Sequence, residues 1–229
     1  MKGVLMNTQV LRGYGAHAWL RKAALGLFTS LTLVSGVFAA PVTIVALGDS
    51  LTHGYGLPVE DGFVPQLEAW LQDNGAPDVI VKNAGVSGDT TRGGVERFEW
   101  SLAEGGDAVI VELGGNDLLR GIDPASSRVN LDGILIKAAK QNLPVLLTGM
   151  QAPLNYGPEY KEAFDAMYPE LAEEHGAIYD PFFLEGMIDR PELFQDDGIH
   201  PNKDGVAVLV SRFGPIALQL IERVEASRE

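Results

Sequence analysis

Five short apolar runs alternate with five segments of helical periodicity, and this alternation confines the chain to a narrow class of folds. Val42–Leu47 is a β-branched run ending in Gly48, and Val79–Val81, Ala108–Leu113, Pro144–Gly149 and Ala177–Tyr179 read as further strands. Phe63–Leu71, Thr90–Ala103, Leu131–Lys140 and Tyr160–Glu174 carry the helical spacing, and Gly205–Val224 is a long closing helix. Strands that are continuously apolar need cover on both faces. Alternation of such strands with helices means a parallel sheet between helical layers. The expectation is one α/β domain with five parallel strands. No internal repeat, low-complexity tract or linker divides it.

That topology constrains where chemistry can occur. In an open parallel sheet, ligands bind outside the carboxyl ends of the strands. Ser50 follows the first strand, Gly88 the second and Asn116 the third, so the three loops are expected at one edge.

Three short motifs then stand out: Gly48-Asp49-Ser50-Leu51, Gly114-Gly115-Asn116-Asp117 and Asp197-Gly198-Ile199-His200. Asn83-Ala84-Gly85-Val86-Ser87-Gly88-Asp89 lies between the first two. A serine after a strand commonly serves only as a helix N-cap. At the same position a nucleophile gains from the positive end of the helix dipole. Asp197 and His200 are spaced so that the carboxylate can reach Nδ1 from the same turn. That contact selects the tautomer and leaves Nε2 as a base. Asp196 is an alternative partner at a less natural spacing, and His53 is an alternative base without a comparably spaced carboxylate. His175, in Glu173-Glu174-His175-Gly176, reads as a solvated helix end. Asn116 is either a turn asparagine or an amide donor to an oxyanion. Gly88 can add a backbone N–H, since glycine admits close approach. Asp89 and Asp117 read as local turn and capping residues. Nucleophile, base, orienting carboxylate and oxyanion donors together are the parts of a serine esterase.

Two other classes compete. Asp49, Asn116, Asp197 and His200 could in principle hold divalent ions in a phosphoesterase, but two-metal sites draw on more histidines than these motifs offer. A non-catalytic flavodoxin-like module, binding FMN for instance, needs a phosphate loop after the first strand and has no use for the Asp-x-x-His pair. There is no Gly-x-Ser-x-Gly, so the nucleophile elbow of the α/β-hydrolases is not expected.

Charge and the N-terminal segment bear on partners and compartment. Four of the 17 basic side chains and none of the 31 acids fall in the first 39 residues. The remaining 190 residues therefore hold 13 bases against 31 acids, a formal charge of −18. Such a surface repels nucleic acid and discourages adsorption to anionic membranes. The chain has no cysteine, which excludes a thiol nucleophile, disulfides and a cysteine-anchored lipoprotein. Arg21-Lys22, the apolar run from Ala23 and the exit Val37-Phe38-Ala39 form a signal peptide pattern. Cleavage after Ala39 would release residues 40–229 as a single exported domain, periplasmic or secreted, without stable membrane insertion.

The blocks around Ser50, Gly88, Asn116 and His200, with Pro201-Asn202 after the last, resemble those of the SGNH (GDSL) hydrolases. The match runs from about Val42 to Leu220. It is especially close to the bacterial thioesterase I, lysophospholipase L1 and arylesterase branch, through Val111–Gly121, Asn155-Tyr156-Gly157 and Gln195–Asn202. The resemblance implies a flavodoxin-like α/β/α sandwich. It implies Ser50 as nucleophile, His200 as base and Asp197 as its partner, with Ser50, Gly88 and Asn116 as the oxyanion hole. It also implies a periplasmic enzyme, and the expected substrate is a small ester or thioester. No metal or organic cofactor is expected. The loop Pro153–Pro158 follows the fourth strand at the same edge, and Asn155 and Tyr156 are expected to line the acyl pocket.

Overall fold

The computed structural model describes Gly3 and residues 40–228. The signal peptide prediction, apart from Gly3, lies outside the described residues. Residues Ala40–Glu229 form one compact unit. Its five strands are β1 (Thr43–Gly48), β2 (Ile80–Gly85), β3 (Ala108–Glu112), β4 (Val145–Thr148) and β5 (Ile178–Asp180). Every pair is parallel and the order is β2-β1-β3-β4-β5. The chain runs outward from β1 to β2 and then returns past β1 to β3. The sheet therefore has a topological switch point at β1/β3.

The helices are α1 (Ser50–His53), α2 (Phe63–Asp73), α3 (Thr91–Ser101), α4 (Gly115–Leu119), α5 (Pro124–Lys140), α6 (Pro158–His175) and α7 (Lys203–Arg228). α2 packs with α7, while α3, α5 and α6 pack together in series. Phe63 of α2 and Phe213 of α7 meet Phe183 edge to face at 5.1 and 5.7 Å. Phe98, Leu131, Ile134 and Phe164 are buried from α3, α5 and α6. α7 is long and apolar enough to span a membrane, yet Leu209, Phe213, Ala217 and Leu220 are all buried in the core.

Two boundaries differ from expectation, each for a physical reason, and one expected turn is helical. β2 continues to Gly85 through Lys82-Asn83, a polar stretch tolerated because β2 is an edge strand. α5 begins at Pro124, capped by the Asp123 carboxylate on the Ala125 N–H at 3.0 Å. Its first turns, including Ser126, Arg128 and Val129, are largely solvent-facing and carry little apolar signal. The Gly-Gly-Asn-Asp segment is a short helix, not a turn.

The register positions the site. Gly48 pairs with Gly85 on one side and Glu112 on the other, Glu112 with Thr148, and Thr148 with Asp180. All five strands end on this row, so the loops after them open on one edge.

Candidate active site

Ser50 is the first residue of α1, and the cap is Asp49, whose Oδ1 accepts the Leu51 N–H at 3.0 Å. This corrects the view of Ser50 as a possible cap: its own hydroxyl is left free for other work. Gly48 makes the turn possible. A Cβ there would run into the Thr52 hydroxyl and lie 2.7 Å from Glu112 Oε2.

His200 arrives from a tight loop before α7. Phe194 and Pro201 form an antiparallel bridge, and the Gln195 N–H donates to the His200 carbonyl at 2.8 Å. His200 Nε2 lies 2.8 Å from Ser50 Oγ, and Nδ1 lies 2.6 Å from Asp197 Oδ2. Asp197 Oδ1 accepts the backbone N–H of Ile199 at 2.9 Å and of His200 at 3.0 Å. These bonds, the His200 ring foremost, lower the Asp197 pKa to about 2. The carboxylate is thus charged at any working pH and favours the Nδ1–H tautomer, which turns the Nε2 lone pair toward Ser50. Asp196 is exposed, and the ring bonds Asp197 instead. His53 is exposed and only its backbone joins the site, donating to the Asp49 carbonyl at 2.9 Å.

Asn116 sits in α4, at the far side of the switch point from Ser50. Its Nδ2 donates to Asp49 Oδ2 at 3.0 Å. An amide nitrogen carries two hydrogens, so one remains to face the cleft that Asn116 lines. Gly88 also lines the cleft. Its φ is +80°, and a Cβ there would meet nothing closer than 3.6 Å. The backbone angle by itself favours glycine at this position. Its carbonyl accepts from Arg120 Nη2 at 2.6 Å.

The cleft has a volume of about 780 Å³ and reaches from Ser50 and His200 between Leu118, Phe182, Leu184 and Phe194. Pro153 lines it, but Asn155 and Tyr156 do not. Tyr156 instead packs on Tyr160 at 5.0 Å, and its hydroxyl donates to the Leu119 carbonyl at 3.4 Å. Asn155 is exposed. The 3-10 turn Leu154–Tyr156 rolls these two side chains away from the cleft, which corrects their expected place in the acyl pocket.

The competing classes fit this geometry poorly. Both His200 nitrogens are engaged, by Ser50 and by Asp197, and both Asp49 oxygens accept N–H donors. Both residues are already tied into the hydrogen-bond network around Ser50 and Asn116, the arrangement a serine nucleophile needs. The Asp49 carboxylate in the loop after β1 would also repel a flavin phosphate.

A family model described as the GDSL-like lipase/acylhydrolase family matches residues 46–208. The chain belongs to that family. This acylhydrolase is 44% identical over 164 residues to the esterase TesA of Pseudomonas aeruginosa, covering 71% of this chain and 81% of that protein. It is 40% identical over 178 residues to the thioesterase 1/protease 1/lysophospholipase L1 of Escherichia coli, covering 77% and 84%. The crystal structure of AlinE4, an SGNH-hydrolase family esterase, superposes with a TM-score of 0.67 at 44% identity, covering 79% of this chain and 97% of that one.

Several residues that shape the acylhydrolase site escape sequence reasoning. Gln195 Nε2 donates to the Tyr55 carbonyl at 2.8 Å and the Pro201 carbonyl at 3.0 Å, tying the His200 loop to the chain after α1. Arg97 bonds the Gly48 carbonyl at 2.8 Å, the Ala84 carbonyl at 2.7 Å and Asp89 at 2.6 Å, joining the ends of β1 and β2. Asp117 is a buried junction, not a local cap. It accepts the Thr91 N–H and the Ser127 hydroxyl, both at 2.8 Å, linking α4 to α3 and α5. His175 is partly buried against Asp132 at 2.6 Å, not simply solvated.

Proposed function

We propose that this acylhydrolase cleaves carboxylic esters and thioesters by two-step acyl transfer through Ser50. His200 Nε2 takes the Ser50 proton as Oγ attacks the acyl carbonyl. Asp197 keeps its charge and stabilises the imidazolium. The oxyanion is received by the backbone N–H groups of Ser50 and Gly88 and by the free Asn116 amide hydrogen. His200 then protonates the departing alcohol or thiol, and water repeats the sequence to release the acid. The observation that carries this reading is the unbroken Ser50–His200–Asp197 chain at 2.8 and 2.6 Å.

Aryl esters, lysophospholipids and acyl-thioesters are the substrate classes, the last two supported by the activities in the name of the Escherichia coli relative, the first by the resemblance to the arylesterase branch, and all three by the apolar walls of the cleft. Export to the periplasm or medium is part of the same proposal and rests on the leader pattern before Ala40.

The test is hydrolysis of p-nitrophenyl esters from acetate to palmitate, with and without EDTA, by the purified protein and its Ser50→Ala variant. Loss of turnover in the variant with no effect of EDTA is expected. Turnover that survives Ser50→Ala would overturn the nucleophile assignment.

A further inference from the structure

Beneath the nucleophile lies a second carboxyl that the mechanism does not use. Glu112 ends β3 beside Gly48 in register and is fully buried. Its Oε2 accepts the Thr52 hydroxyl at 2.8 Å and the Asp49 N–H at 3.3 Å. Its Oε1 is buried and has no N–H or O–H donor among the described residues. A carboxylate oxygen left in this state would be costly, whereas a protonated acid needs only an acceptor. The adjacent acceptor is the side chain of Asp49, whose backbone N–H is already bonded to Glu112 and whose carboxylate also accepts from Leu51 and Asn116.

We propose that Glu112 is a neutral acid that donates its proton to Asp49, forming a buried acid–carboxylate pair that aims the Asn116 amide at the oxyanion. Glu112 is a positioning residue. It touches no substrate, and its effect reaches the reaction through Asp49 and then Asn116. Burial, followed by the Asp49 charge, pushes the Glu112 pKa well above the usual carboxylate range, consistent with the proton residing there. The titratable groups facing Glu112 are Asp49 and, from α6, Tyr168, which is itself buried and whose hydroxyl donates to the Leu113 carbonyl. Neither supplies a positive charge, so nothing in this pocket stabilises a second carboxylate. The pairing also accounts for the amide geometry. Asp49 Oδ2 fixes one Asn116 hydrogen and leaves the other for the cleft that Asn116 lines.

The proposal rests on Asn116 acting as an oxyanion donor, so its test separates the two. Glu112→Gln keeps a donor toward Asp49 and an acceptor for Thr52. Glu112→Leu removes both. Glu112→Leu is expected to lower kcat about 10- to 100-fold with KM within about twofold, less than the about 10²- to 10³-fold lost with an oxyanion donor itself. Glu112→Gln is expected to restore most of that loss. Infrared difference spectra of wild type against Glu112→Gln are expected to show the carbonyl stretch of a protonated acid at neutral pH, a readout independent of turnover and of whether Glu112→Leu folds. A Gln variant as defective as Leu, a Leu variant with wild-type kcat, or the absence of the protonated-acid band would each overturn the proposal. If Ser50→Ala retains turnover while the band is present, the functional reading fails and the buried pair stands.

Discussion

The two halves of the site are held by opposite means. The Ser50 half is set into the sheet: Asp49, Thr52, Glu112 and Asp117 are all buried, and their polar atoms bond across β1, β3, α3 and α5. The His200 half rides on an outer loop, where His200 keeps 17% of its side chain exposed and Asp197 37%. That loop is ordered by its own backbone turns, by Asn202 on the Glu192 and Phe194 carbonyls, and by crossings that include Gln195 to the Tyr55 carbonyl and the Tyr55 ring against His200 at 4.6 Å. Deep burial suits the residues that hold the half-buried oxyanion donors, because a fixed dipole costs no reorganisation when charge develops. The base must instead pass a proton to a departing group and then accept one from water, so it belongs at the rim.

Substitutions can test how sharp this division is. Ser50→Ala is expected to have the largest effect, lowering kcat by about 10⁴- to 10⁶-fold with the fold intact by circular dichroism. Asp197→Asn keeps the shape of the exposed half but not the tautomer preference, and a fall of about 10³- to 10⁴-fold in kcat is expected. An effect below about tenfold would mean that solvent, not Asp197, orients the base. Asn116→Ala strikes the buried half and is expected to cost about 10²- to 10³-fold in kcat with little change in KM. Gln195→Ala cuts the hydrogen bond from the outer loop to the Tyr55 carbonyl. A fall of several-fold in kcat/KM and about 1 kcal/mol in denaturant stability is expected. If the outer loop were self-sufficient, kcat/KM would not move.

The smallest effect is the most diagnostic of burial. The Glu112 pKa is raised above its ordinary value of 4.5, chiefly by desolvation. The folded state therefore holds a proton that the unfolded chain releases, and folding stability falls as pH rises above that value. Glu112→Gln removes this titration, so its stability curve above about pH 5 is expected to be flatter than wild type. The Asp197 carboxylate contributes the opposite sign. Its pKa of about 2 means that its contribution is complete above the ordinary aspartate range and is lost only as pH falls toward about 2.

Much of the frame was legible in advance because it is written in short-range patterns. Continuous apolar runs made the strands, and alternation with helices made the sheet parallel, which by itself set the Ser50, Gly88 and Asn116 loops at one edge. Asp197 and His200 were legible because three residues of spacing nearly dictate their contact. Asn155 and Tyr156 were misplaced because a loop's direction depends on how its turn packs, here Tyr156 against Tyr160. Asp117 looked local because its partners Thr91 and Ser127 lie 26 and 10 residues away.

The sequence by itself determined the layered α/β architecture, the edge that bears the site and the Asp197–His200 pair, since each follows from periodicity or a bond within one turn. Only the tertiary structure decided that His200 and not His53 meets Ser50, across 150 residues of chain. It alone decided that Glu112, one more residue at the end of an apolar strand in sequence, sits with Asp49 in a shared pocket. Such pairings depend on strand register and helix docking, and these are set by the collective packing of the core, which no local pattern records.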